Sequence, residues 1–419
     1  MAAGSRGATI GSVLVTLPER SIPAARQSFI REHNLSLVLR HIVEAPEPVS
    51  RARIAKTTGL TRATVSALVD SLLSGGMVRE LVPAATERAG RPAVPLVPSD
   101  RGVVGLGLGV QVDHIGARLV GLAGNVIEER IVPGNFRASD PDAVLGRLAE
   151  LADRLLLSVR QRGQRLVGVG VSLPGTVQAS SRLLRYAPNL DWYDLDVAAR
   201  LEAHPGLAGL PVLVGNDADL GARAEARSRA RAAGLPPESQ SFLYVTCEVG
   251  LGGAMIVRGE LPAGWTGDLG HIAVDRAGPP CSCGARGCLE QYAGRDSMLI
   301  RSGMGVGSSM DDLRHAVDAG ERAPEQSVAE AAEGLGVVIS STLNLVDMDT
   351  VVLGGAFVPL ADLLIPTIQR HIKRRTFQSR WQSLTVAAGV AGQFAPLTGA
   401  ALLVTDEVLA NPSALLAVG

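Results

Sequence analysis

In the first quarter of the chain, apolar residues recur at helical spacing. Leu35, Val38, Leu39, Ile42 and Val43 fall on one face of a helix that Asn34 is placed to cap. Pro46 and Pro48 break the chain, Ser50 caps a second helix over 51–57, and Gly59 makes a tight turn. Thr61 caps a third helix with Val65, Leu68, Val69, Leu72 and Leu73 facing inward, closed by Gly75-Gly76. A short helix, a glycine turn and a second helix predict a helix-turn-helix. The outward positions at the start of the third helix are Arg62, Ala63, Thr64, Ser66 and Ala67. Small or hydrogen-bonding side chains there suit close approach to base edges in a DNA major groove. Two short apolar runs, 77–83 and 93–97, flank a polar tip at 85–92 and predict a wing. Arg88 and Arg91 at that tip are placed to enter a narrow, electronegative minor groove. The alternatives are a three-helix packing unit without a DNA role, and a tip that touches phosphates only. Pro95, Pro98 and residues 99–102 read as a linker.

From residue 103 the period changes. Apolar runs at 103–110, 115–122, 126–132, 166–172, 241–247, 253–259 and 351–356 read as strands. Helices are expected over 140–162, 327–344 and 399–409, with Gly163 placed to end the first of them. Strands alternating with helices predict two α/β lobes around a cleft. The expected organisation is a flexible extension over 1–30, a winged helix-turn-helix over 31–98, and a two-lobed body over 99–419. Within the body, one lobe takes 103–217 plus the C-terminal helix and the other takes 218–398.

Composition sharpens this picture. The chain has 419 residues, 46% hydrophobic against 19% charged, enough to bury a large core and too apolar for wholesale disorder. Its formal charge of −1 is unevenly spread: residues 1–98 hold 12 Lys/Arg against 7 Asp/Glu, net +5. A basic N-terminal module on an acidic body fits a polyanionic partner. No apolar run reaches the 18 or so residues of a membrane span. Residues 8–17 lack a proper cleavage site for a signal peptide and read as part of the extension.

Three of the four cysteines fall within eight positions, Cys281, Cys283 and Cys288, and His271 precedes them by ten. A Cys₃His set is a closed, tetrahedral Zn²⁺ arrangement, structural in kind, and Gly284 and Gly287 let the loop double back. Zinc-bound thiolates without a disulfide framework imply a reducing compartment, and hence the cytoplasm. Cys247, inside an apolar run, reads as plain core.

The landmarks together resemble the ROK family of repressors, open reading frames and sugar kinases. They are Pro174-Gly-Thr-Val177, Ala187-Pro-Asn189-Leu, Asn216-Asp217-Ala, Gly250-Leu-Gly252-Gly253, Gly267-Asp-Leu-Gly-His271, the run from Cys281 to Glu290, Gly354-Gly355 and Gly399-Ala-Ala. The match spans about residues 34–409, and the module ahead of the body is similar to the family's repressor branch, that of the xylose and N-acetylglucosamine repressors. The resemblance implies a hexokinase/actin-like body in which Asn189, Asn216, Asp217, Asp268, His271 and Glu290 contact a sugar. It also implies that His271 serves metal and sugar through its two ring nitrogens. The family's usual glutamate is here Asp268, one methylene shorter, which draws the carboxylate back toward a water-mediated contact or a differently shaped sugar.

Family kinases open the first strand turn with Asp-x-Gly-Gly-Thr, and the residue matching Asp217 is their general base. This chain reads Gly107-Leu-Gly109-Val110-Gln111 at that turn, with Asp113 out of register. The phosphate-binding half of a kinase is therefore lost, and no catalytic residue is expected. The expected function is a sugar-responsive transcriptional regulator, a repressor of carbohydrate uptake or catabolism genes. It binds a double-stranded DNA operator as a homodimer or dimer of dimers, and sugar in the cleft lowers operator affinity. The alternatives are a sugar kinase that also binds DNA, and a regulator controlled by a protein partner with a vestigial cleft.

Overall fold

The short helices of the N-terminal module form where their caps stop competing backbone geometries. In the computed structural model, which describes residues 27–82, 94–99, 101–178, 181–262, 264–265 and 267–416, Ser50 accepts a hydrogen bond from Arg53 N–H and Thr61 from Thr64 N–H. These bonds satisfy N–H groups that a helix start leaves without partners. Helix α1 (Gln27–Val43) precedes strand β1 (Val49–Ser50), then α2 (Arg51–Thr58) and α3 (Arg62–Ser74). Gly59 at the α2–α3 turn takes φ +74°, the left-handed region that glycine enters without strain. Asn34 caps nothing: α1 begins at Gln27, because the polar-apolar pattern stays helical ahead of Asn34. Val65, Leu68, Val69 and Leu72 are buried as expected, and Leu73 is half-buried.

Strands β2 (Val78–Glu80) and β3 (Pro95–Pro98) complete a three-stranded sheet in the order β1-β3-β2. Residues 95–98 of the expected linker are therefore the central strand of this sheet, with Pro95 opposite Ser50 and Pro98 opposite Val78. The wing tip with Arg88 and Arg91, and residues 1–26, lie outside the described residues.

The first lobe has a five-stranded sheet in the order β11-β7-β4-β5-β6, from β4 (Val103–Val110), β5 (His114–Gly121), β6 (Val126–Pro133), β7 (Arg165–Leu173) and β11 (Val212–Asn216). Its long helix α4 (Pro141–Gln161) is capped by Asp140 and buries Leu148, Ala152 and Leu155 against the sheet. Between β7 and β11 come a small three-stranded sheet of β8 (Thr176–Gln178), β9 (Leu183–Ala187) and β10 (Trp192–Asp196), then α5 (Val197–Glu202). Helix α6 (Asp217–Ala233) leads into the second lobe.

That lobe has a four-stranded sheet in the order β13-β12-β14-β15. Its strands are β12 (Phe242–Cys247), β13 (Leu251–Ile256), β14 (Thr350–Gly355) and β15 (Thr385–Ala388). Helices α7 (Glu290–Ala293), α8 (Arg295–Arg301), α9 (Met310–Asp318), α10 (Arg322–Leu343) and α11 (Ala361–Arg375) cover it. The chain then returns to the first lobe as α12 (Ala395–Ala410). The expected helices thus form, two of them with earlier starts than predicted.

Helix α12 lies unusually close to the first sheet. A Cβ added at Gly107 would sit 1.9 Å from the Leu397 carbonyl oxygen, and one at Gly170 1.8 Å from that of Ala400. At its far end α12 enters the core of the N-terminal module, where Val408 and Leu409 pack with Leu35, Leu39 and Val103. Ser36 Oγ donates to Leu409 O at 2.6 Å. Module and body therefore share apolar core. Among the described residues, no helix is long and apolar enough to cross a membrane. Replacing Gly107 with alanine should force α12 off the sheet and cost about 1–3 kcal/mol of overpacking strain, read as a lower denaturant midpoint. An unchanged midpoint would refute this seating.

Candidate functional site

The cleft between the lobes is built where strands end. Asn216 ends β11 and caps α6: its Oδ1 accepts from Ala218 N–H at 2.8 Å and Asp219 N–H at 3.2 Å. Its Nδ2 donates to Gly175 O at 2.8 Å, which fixes the amide against the loop after β7. This geometry leaves Asp217, in the first turn of α6, facing the cleft. Asn189, Asp268, His271 and Glu290 line the same cavity of about 110 Å³. All six residues expected around a sugar thus come together from four separate stretches of chain. Gly250 keeps the middle open: a Cβ there would lie 3.0 Å from Glu290 Oε2 and 3.7 Å from Asn189 Nδ2.

The cleft wall holds four carboxylates, those of Asp217, Glu248, Asp268 and Glu290, and no lysine or arginine. Burial pushes the Asp217 carboxyl up, opposed by a hydrogen bond that Gln111 Nε2 donates to its Oδ2 at 2.8 Å. Glu248 was missed by sequence reasoning. Burial, then the charges of Asp217 and Asp113, push its carboxyl up to about 8, against the pull of Arg295. The available signal was a glutamate at the end of the apolar strand 242–247, ahead of the glycine turn. Glu248 also borders a cramped cavity of about 10 Å³ with Gly109, Gln111, Phe394 and Leu397. Phe394, which holds φ +59°, fills the end of that space, and Arg118 anchors it by donating to the Phe394 and Gln393 carbonyls.

Ion pairs cross the cleft on one side. Arg295 of α8 pairs with Asp113 in the β4–β5 turn, and Asp296 pairs with Arg137. Burial would raise the Asp113 carboxyl, but His114 and Arg295 outweigh it and hold it at about 2.

His271, Cys281, Cys283 and Cys288 gather beside the cleft, with ligand atoms all within 4.8 Å of one another. Cys281 Sγ lies 3.7 Å from His271 Nδ1, and Cys283 Sγ lies 3.7 Å from Cys288 Sγ. A tetrahedral ion with metal–sulfur bonds of about 2.3 Å sets neighbouring ligands about 3.6–3.8 Å apart, so the four residues fit one. Gly287 is required for this loop: it holds φ +67°, and a Cβ would lie 1.5 Å from Asp275 O. His271 Nδ1 faces the sulfurs while the residue also lines the cleft. Cys247 is buried core, as expected. On α3, Arg62 and Ala63 are exposed, Thr64 and Ser66 half-buried, so the expected DNA-facing surface is accessible.

The Glu248 carboxyl binds its proton more tightly in the folded than in the unfolded chain, where its ordinary value is 4.5. Stability from this group is therefore present at low pH and lost as pH rises through about 8. Glu248→Gln should melt near the wild-type temperature at about pH 5 and above it at about pH 8.5. Parallel melting curves for the two proteins across that range would contradict the assignment.

Residues 103–407 match the model of the ROK family, and residues 36–89 match that of the MarR family. The xylose repressor of Bacillus subtilis (strain 168) is 26% identical over 392 residues, covering 92% of this chain and 98% of the repressor. The glucokinase of Streptomyces coelicolor is 27% identical over 328 residues, covering 72% of this chain and 98% of the kinase. A crystal structure of a ROK family transcriptional regulator, a homologue of the Escherichia coli Mlc protein, superposes with a TM-score of 0.73 at 23% identity. It covers 93% of this chain and all of that one. The N-terminal module is thus a MarR-type winged helix, and from its body the chain belongs to the ROK family.

Proposed function

We propose that this chain is a sugar-responsive transcriptional regulator, a repressor of carbohydrate uptake or catabolism genes acting in the cytoplasm. The observation that carries the reading is the course of α6. It begins at the cleft with Asn216 and Asp217 and ends, about 25 Å away, against the DNA module, where Gly234 faces Pro46. Helix α12 runs beside it from Phe394 at the cleft to Leu409 in the module core. Arg223 and Arg227 of α6 tie the two helices together through Asp406, at 2.7 and 2.6 Å.

In this reading a sugar accepts hydrogen bonds from Asn189, Asn216 and the metal-free His271 N–H, and its hydroxyls donate to the carboxylates of Asp217, Asp268 and Glu290. Bridging both lobes favours a closed cleft, and closure tilts the α6–α12 pair beneath the DNA module. A coupling of about 1–3 kcal/mol changes operator affinity about 5–150-fold. The body spans residues 99–419 and the DNA module 31–98, with Arg62, Ala63, Thr64 and Ser66 of α3 at base edges and Arg88 and Arg91 at the minor groove. A homodimer or dimer of dimers matches a two-fold operator. The ion in the Cys₃His cluster is zinc, which is structural and fixes the His271 ring so that its second nitrogen meets the sugar.

Phosphoryl transfer is not part of this function. Gln111 occupies the Asp217 carboxylate that a kinase would use as base. An aspartate at Gly107 would collide with α12.

Two experiments test the reading. Melting the zinc-loaded protein against xylose, glucose and N-acetylglucosamine, with and without Mg-ATP, should reveal a stabilising sugar whose effect ATP leaves unchanged. That sugar should also release an operator fragment. ATP-dependent phosphorylation of any of these sugars would overturn the regulator reading in favour of a kinase. Cys283→Ser should lose bound zinc and sugar response together, measured by metal content and the same melt, and a normal response without metal would break the proposed link.

A further inference from the structure

The largest cavity among those described is not the cleft. It lies where the DNA module meets the first lobe and encloses about 350 Å³, within the range of small-molecule pockets. Both bodies build its wall: Leu96 comes from the central strand of the module, Leu122 from the turn after β5, and Leu235 from the end of α6. Three arginines against two glutamates supply the charge. One of the glutamates, Glu44, is pushed toward its neutral form by burial, against the pull of Arg227.

Arg227 is the polar centre of this wall. Its Nη2 donates to Asp406 at 2.6 Å, while its buried Nη1 has no hydrogen-bond partner. Asp406 divides its single charge between Arg223 and Arg227, and Glu44 on the cavity wall also feels the Arg227 charge. Arg231, one turn further along α6, donates only to the Ala123 carbonyl, at 3.3 Å. A buried N–H without an acceptor costs about 1–3 kcal/mol, and a turn of the Arg227 guanidinium toward the cavity lets a ligand oxygen recover it. Apolar walls around a forked donor suit a carboxylate on a compact apolar body.

We propose that this joint cavity is a second ligand site, taking a small organic monocarboxylate whose carboxylate meets Arg227 and Arg231. Because half of the wall belongs to the DNA module, occupancy sets how that module is seated on the body. The site regulates operator binding independently of the cleft.

The test titrates the full-length protein with benzoate and pyruvate, and with inorganic phosphate as a bare anion, by calorimetry. Benzoate should bind in the millimolar range or tighter and phosphate should not. Ala123→Phe fills the cavity from the turn at 122–124 and should abolish binding. Arg227→Lys keeps a charge toward Asp406 but removes the unpaired N–H, and should weaken binding about tenfold or more. Each variant must keep a wild-type melting temperature without ligand; if one does not, Arg231→Gln at the exposed end of α6 replaces it. No binding of either carboxylate, or binding that Ala123→Phe leaves intact, overturns the site. Binding that leaves operator affinity unchanged overturns its regulatory role. The cleft takes no part in these measurements, so their outcome stands apart from the sugar reading.

Discussion

Everything in this molecule hangs on the contact of one helix backbone with others. Helix α12 crosses the first sheet over glycines and crosses α6 at Gly399, where a Cβ would lie 1.8 Å from Leu220 O. Side chains at these crossings would hold the layers apart by their own thickness. Glycines remove that spacer and let peptide groups touch, so the three layers move as one piece. The clamp of Asp406 between Arg223 and Arg227 then fixes the two helices against rotation. With that assembly in place, a change at the cleft end of either helix must appear at the module end.

The same close packing shapes the cleft. A Cβ at Gly107 would lie against the Leu397 carbonyl, and Phe394, Leu397 and Glu248 crowd the small cavity around Gly109 and Gln111. The cleft itself stays open, its described wall carrying carboxylates, amides and His271 but no lysine or arginine. Two ion pairs span the lobes from α8, which begins five residues after Glu290, so the cleft wall and the bridges between the lobes are neighbours in sequence.

Much of this was legible in the chain. Period and caps placed α2, α3 and strands β4 to β7 of the first lobe's sheet, because local hydrogen bonds and burial decide them; β11 went unread. The Cys₃His cluster was legible because its ligands are close in sequence. The cleft residues were legible through motif resemblance, since Asn189, Asn216, Asp217, Asp268, His271 and Glu290 are scattered over a hundred residues. What escaped reading depends on distant partners. Gln111 meets Asp217 across 106 positions, and Glu248 acquires its character only from burial beside Asp217 and Asp113. Prolines at 95 and 98 suggested a linker, yet tertiary pairing with β1 and β2 made that segment a central strand.

The chain's path has a consequence for its synthesis. The DNA module is translated first, but its core includes Val408 and Leu409 and borders Leu415 and Leu416. Until Val408 and Leu409 leave the ribosome, α1 lacks the floor to which Ser36 is bonded. The operator-reading half therefore reaches its finished form only after the sensing half exists.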